Sequence, residues 1–397
     1  MALAGCSWAP TSSPGPLEPL DPPSPPHALA PFLGPGPTLS WLEPAGEGHR
    51  LVFSALEGGA WGPPREVARS PSIFANWADV PAVKAGPGST LWAHWLESLG
   101  EGTYAYGVRW KEMPSPGGSW VDRGWLHEND LSEAEHGFVS WAASEGSGWA
   151  FWLDGRDQAS TGAMTLRGRQ LAPDGAGSEL LDPRVCDCCP TDAAMTASGP
   201  IVVYRDRSED EVRDIASILW AGGAWSSPIR VFEDGWRIAG CPVNGPAVDA
   251  AGSQVAVSWF TVSGERALVR AAFSRDGGRT YSTPILVDGE EPLGRVDVAL
   301  LDSGEAVVAW LARGREEGGR SPEAPRPPSL RIRRVSPGGA AGSPLSLGEI
   351  TAGRSSGVPR ILVHGGDLLV AWVDDRGPAT LLRAGRMPLK ELPRVPL

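Results

Sequence analysis

Three cysteines crowd into four positions, Cys186, Cys188 and Cys189, and a fourth stands at Cys241. Sulfurs at that spacing suit a soft or borderline ion, copper(I) or zinc, because two loops can deliver four thiolates to one tetrahedron. The same residues could make disulfides instead. A bond from Cys241 to one of the trio would clamp two segments and add roughly 2 to 4 kcal/mol by loop closure, while a second bond inside the trio would be strained and easily reduced. Thiol exchange is the third chemistry open to them. Polar residues suited to binding flank the set: Tyr204-Arg205-Asp206, Arg213-Asp214 and Asn244. All of this depends on position 241 arriving beside position 186, so the elements that carry the two segments decide it.

The chain of 397 residues is 41% apolar and carries 51 Gly, 39 Pro and 18 Trp. That is too apolar for disorder, and no apolar run reaches the roughly 18 to 20 residues of a spanning helix. So much Gly and Pro argues for many short strands joined by tight turns. The net charge of −12 offers no basic footprint, which excludes nucleic acid as a partner. Phosphate loops, G-x-S-x-G elbows and H-E-x-x-H helices are missing as well.

Internal repetition defines the architecture. Gly-Gly-x-Trp recurs at Gly58 to Trp61, Gly117 to Trp120 and Gly222 to Trp225, and a fuller turn runs from Ser274 to Tyr281. Upstream lie seven apolar strands ending in an aromatic residue, at Trp41, Trp95, Trp152, Tyr204, Trp259, Trp310 and Trp372. Each is preceded by a short strand of small residues, from Ala28 to Leu33 in the first unit to Val358 to Val363 in the last. This predicts an all-β propeller of four-stranded blades over residues 27–397, seven blades favoured and six if the terminal units merge. Leu389 to Val395 is expected as the last outer strand, and Gly314 to Pro328 as a loop insertion.

In a propeller the loops entering each blade open on one face. The trio enters the fourth unit and Cys241 the fifth, so neighbouring blades should bring all four sulfurs to the channel mouth. Tyr204, Arg205, Asp206, Arg213 and Asp214 flank the adjoining loop of the fourth unit. Asn244 and Arg295 are further binding candidates there. His136 is expected on the same face as a surface or packing residue, and Asp297 as a solvated strand end.

The turn Ser274-Arg275-Asp276-Gly277-Gly278-Arg279-Thr280-Tyr281 resembles the Asp box, with Tyr281 in place of Trp, so the chain resembles the sialidase-like BNR-repeat propellers. The segments around Cys186, Tyr204 and Cys241 are similar to bacterial envelope proteins often labelled exo-alpha-sialidase. The resemblance implies a glycan substrate, an arginine cluster for a sugar carboxylate drawn from Arg205, Arg213, Arg295 and Arg360, and Tyr204 as nucleophile with Asp206 nearby. The family's early Arg-Ile-Pro motif is absent. Alternation along a strand also points Tyr204 and Arg205 apart. An ion-paired loop network is the plainer reading of these residues, and sialidase members usually have six blades against the seven units counted here.

Leu3-Ala4-Gly5-Cys6 resembles the end of a bacterial lipoprotein signal, here over residues 1–6, at which Cys6 would be acylated. A Ser/Pro-rich stretch over 7–26 then reads as a disordered tether. The combined expectation is a cell-envelope lipoprotein, periplasmic or on the outer membrane. It would bind a metal or a small anionic ligand, with a glycan or protein partner as further possibilities and a glycoside hydrolase as the competing class.

Overall fold

Short apolar strands broken by glycine turns fold into seven antiparallel sheets, each lying against the next in chain order around a central channel. The computed structural model describes residues 16–128, 133–171, 177–314 and 327–396. Cys6 and most of the expected insertion at 314–328 therefore lie outside the described residues.

The inner strands of blades 1 to 7 are Leu29–Gly34, Ala82–Ala85, His136–Ala143, Asp192–Thr196, Ala247–Ala251, Pro292–Leu300 and Arg360–His364. The second strands, Thr38–Ala45, Leu91–Ser98, Gly148–Asp154, Gly199–Arg205, Gln254–Ser263, Ala306–Ala312 and Asp367–Asp374, contain all seven aromatic-ended runs. Their tryptophans fill the space between blades, and Trp41, Trp152, Trp259 and Trp310 are fully buried. Each buried indole N–H needs an acceptor, and a carboxylate supplies it. Trp41 donates to Glu43 at 2.7 Å and Trp152 to Asp154 at 2.8 Å, two positions on along the same strand face. Trp310 reaches Asp288 of the preceding blade at 2.7 Å.

Carboxylates also lace the inner strands together. Asp192 accepts from the Val248 amide at 2.8 Å, Asp249 from Leu300 at 2.8 Å and Asp297 from Ile361 at 2.7 Å, each reaching the next blade. Asp297 is thus a buried latch and not a solvated strand end.

The turn from Ser274 to Tyr281 joins the third and outer strands of blade 5. Asp276 accepts from the Arg279 and Thr280 amides and the Thr280 hydroxyl, while Ser274 accepts from the Gly278 amide at 2.9 Å. Tyr281 crosses to blade 4, where its hydroxyl donates to Ser217 at 2.9 Å.

Closure of the ring departs from expectation. The fourth strand of blade 7 is Glu18–Pro19, paired with Arg386 and Gly385, and Leu389–Glu391 is a turn of 3-10 helix. Ion pairs Glu18–Arg386 and Asp21–Arg383, both 2.7 Å, hold it. The described part of the expected tether, from residue 16, is therefore built into the fold: Leu17 is buried, and pairing to the last blade removes an open sheet edge.

Candidate functional site

Two blade-entry loops meet at the cysteines. Val185 ends the outer strand of blade 3, the Cys186 amide donates to the Arg205 carbonyl at 3.0 Å, and the chain then turns through Cys188 and Cys189 into blade 4. From the other side comes Cys241 to Pro246. Gly245 lies so close to the first loop that a Cβ would stand 2.0 Å from the Pro190 carbonyl oxygen, so only glycine lets the two backbones touch. This contact brings together sulfurs separated by 53 positions: Cys188 and Cys241 form a disulfide with Cα atoms 5.9 Å apart.

Beneath that bond lies a dithiol. Cys186 and Cys189 are buried, and their sulfurs are hydrogen-bonded to each other at 3.1 Å. On the other side Arg213 Nη1 donates to Cys186 Sγ, also at 3.1 Å. The bond from Cys189, the Cys188 amide and the charges of Arg205 and Arg213 overcome burial and hold the Cys186 thiol down at about 6. Burial and the neighbouring Cys186 push the Cys189 thiol well up. The two shifts are opposite in direction, so Cys186 is the first of the pair to ionise. The sulfurs of Cys186, Cys188 and Cys189 all lie within 4.8 Å of one another, against the ~3.8 Å edge of a tetrahedral zinc–sulfur site. Cys241 is exposed, so the disulfide faces solvent and the dithiol does not.

The neighbouring candidates are brought near but are spent on structure. Arg205 donates to the carbonyls of Asn244, Arg213 and Phe260 at 2.6 to 2.9 Å and lies over Trp236. Tyr204 points the other way, as alternation requires, and donates to Asp182 at 2.6 Å from a fully buried position. Asp214 accepts from the Gly235 and Trp236 amides, and Asp206 from the Arg207 amide. Arg213 also pairs with Glu211, which Arg207 shares, so part of the expected ion-paired network forms, with Glu211 as its anion. The flanking guanidinium bonds hold the Glu211 carboxyl down at about 2. Asn244 caps the Arg295 amide at 2.7 Å, and Arg295 itself turns to Ser356 and the Gly353 and Gly357 carbonyls. Arg205, Arg213 and Arg295 are thus committed to bonds of their own, and Arg360 stands apart from them at the channel, over Phe32. His136 is a buried packing residue, stacked on His127 at 4.0 Å.

A second polar group, of which only Arg360 was among the sequence candidates, lies at the channel. Asp79, Lys84, Asp192 and Arg360 line the channel mouth, and beside them Tyr106 donates to Glu135 at 2.5 Å. One signal was present: Lys84 is one of three lysines in the chain and sits in an inner strand of small residues.

No protein-family model matches the chain, and no curated protein does either. Among solved structures, the polysaccharide lyase Uly1 superimposes with a TM-score of 0.52 at 10% identity, covering 96% of this chain and 94% of that one. The GH93 alpha-L-arabinofuranosidase of Fusarium graminearum, solved with arabinobiose, gives 0.49 at 13% identity over 95% of this chain and 98% of its own. Hadza microbial sialidase Hz136 gives 0.47 at 13%, over 86% and 74%. The likeness at such identities is one of fold. The chain is a seven-bladed propeller of antiparallel sheets.

Proposed function

We propose that this propeller is a binding module whose channel-mouth cysteines hold a thiophilic ion, copper(I) or zinc, in the reduced protein and close as a disulfide in the oxidised one. The observation that carries the reading is the sulfur cluster itself: three ligand atoms within 4.8 Å, with Cys241 already bonded to one of them. Two further features support it. Arg213 and Arg205 place positive charge beside sulfurs that would otherwise repel one another as thiolates. The exposed Cys241 lets a small dithiol reductant attack the disulfide, releasing two thiols as the reductant becomes the disulfide. Acylation at Cys6 and residence in a bacterial envelope belong to the same reading, supported by Leu3-Ala4-Gly5-Cys6 and by a disulfide that needs an oxidising compartment. Within it, Ser274 to Tyr281 is an Asp box with a folding role.

The test is metal analysis and a thiol count on protein purified without oxygen, before and after reduction. Reduced protein should show four reactive thiols in the propeller and one bound ion that is lost in Cys186→Ser. Metal-free protein whose thiol count does not respond to reduction would overturn the proposal.

The competing reading is a glycoside hydrolase of the exo-alpha-sialidase type, favoured by a fold that sialidases share. The committed hydroxyl of Tyr204 and the dispersed arginines speak against it. Hydrolysis of a fluorogenic sialoside, abolished in Tyr204→Phe, would restore it.

A further inference from the structure

The mouth of the central channel holds polar valences that the fold does not use. A small pocket opens there between blades 1, 2, 3, 4 and 7, with Phe32, Phe138 and Trp141 among its walls. Arg360 projects into it from the start of the last inner strand. Its guanidinium lies 5.3 Å from the Phe32 ring and makes no hydrogen bond or ion pair with the described residues, and its Nε is buried without a partner. Lys84 enters from blade 2 and spends one of its three donors, on the Trp141 carbonyl at 2.7 Å. Asp79 is 1% exposed, and with the Phe138 amide beside it neither carboxyl oxygen completes a well-aligned hydrogen bond.

We propose that this pocket binds a small monocarboxylate, its two oxygens held between the Arg360 guanidinium and the Lys84 ammonium, with the carboxyl group of Asp79 as a further donor. A guanidinium presents paired N–H groups in the fork that matches a carboxylate, and the half-buried Arg360, its Nε without an acceptor, gains from a ligand that completes it. Burial raises the Asp79 carboxyl to about 8, so it enters the pocket neutral and able to donate. The channel's other carboxylates do not compete for the cations at contact distance. Asp192, Asp249 and Asp297 each have both oxygens bonded to backbone amides, to Ala193 and Val248, to Ala250 and Leu300, and to Val298 and Ile361. The Asp192 charge beside Lys84 still repels a dianion more than a monoanion, which selects a monocarboxylate over phosphate or sulfate.

Phe138 holds φ at +55° where the register slips between Gly137 and Ser140, a bulge that recurs at Ala30 and Arg295 in the inner strands of blades 1 and 6. What is particular to blade 3 is the glycine beside Asp79. Gly137 leaves the room that Asp79 occupies: a Cβ there would sit 1.9 Å from Asp79 Oδ2.

The experiment is calorimetric or NMR titration of the intact chain with acetate and lactate, with inorganic phosphate, sulfate and glucose as controls. Acetate or lactate should bind saturably and more tightly than any control, and affinity should fall by roughly tenfold or more in Arg360→Gln and again in Lys84→Met. Far-ultraviolet circular dichroism verifies that both variants are folded. The site does not rest on the metal reading, so Asp276→Ala, in a turn at the other end of the blades, should bind as the parent does, and the result stands whether or not metal is found. Absence of saturable carboxylate binding, tighter binding of phosphate or glucose, or unchanged affinity in both folded variants would overturn the assignment.

Discussion

Arg205 carries its charge into a place where it meets no carboxylate, only carbonyl oxygens from three segments and the face of Trp236. It joins blades 4 and 5, since Asn244 and Phe260 belong to the second of these, and so fixes the loop that presents Cys241. Replacing it by Met leaves buried carbonyls unmatched and should cost roughly 3 kcal/mol, read as a lower denaturation midpoint with an unchanged slope. An unaffected midpoint would remove Arg205 from the scaffold of the site. Strand alternation was enough to separate Tyr204 from Arg205 in the sequence, because it is a local rule. The spending of both side chains was not legible there, since Asp182 and Phe260 lie 22 and 55 positions away. The same holds for the channel: Asp79 and Arg360 become neighbours of one pocket only because the ring closes.

At the scale of the element, turns and latches explain why the blades keep their register. The turn at Ser274 to Tyr281 concentrates its amides on one carboxylate, and these bonds hold the Asp276 carboxyl down at about 2 against the desolvation that opposes them. Asp276→Ala should destabilise the protein by roughly 1 to 2 kcal/mol, as loss of a comparable cap does, while metal and carboxylate binding on the opposite face stay as they were. Gly278→Ala should cost more than a cap, because φ there is +93° and the added carbon would meet Ile201 Cδ1 at 2.4 Å. Denaturant titration of the two variants checks the order. These turns were the most legible part of the sequence, since Gly-Gly-x-Trp and its fuller form write their geometry in consecutive residues. The outer strand of the last blade was misplaced for the opposite reason: Glu18–Pro19 finds Arg386 across 368 positions, and two residues carry no periodicity.

For the whole molecule, the ring is closed by its own amino-terminal segment. Deleting residues up to Asp21 removes Leu17 from its core, both ion pairs at the seam and the edge pairing, and should lower the melting temperature by several degrees. An equal melting temperature would show that the seam contributes nothing. Stability should also depend on pH with a definite sign. Burial first of all raises the carboxyls of Asp79 to about 8 and of Glu135 and Asp297 to about 7. The folded chain therefore keeps protons that the unfolded chain gives up near pH ~4, and stability falls as pH rises through that interval. Denaturation midpoints should be lower at about pH 6.5 than at about pH 5, and Asp79→Asn should shrink the difference; a rise over this range would contradict the assignment of neutral buried acids.

The sulfur cluster joins these scales, since a residue motif becomes a site only through a loop contact that the closed ring enforces. X-ray absorption at the metal edge of the reduced, zinc- or copper(I)-loaded chain tests this most directly. Sulfur scatterers at about 2.3 Å for zinc, three or four in number and fewer in Cys241→Ser, are the result expected. A shell of nitrogen and oxygen alone, or one identical in the variant, would contradict it.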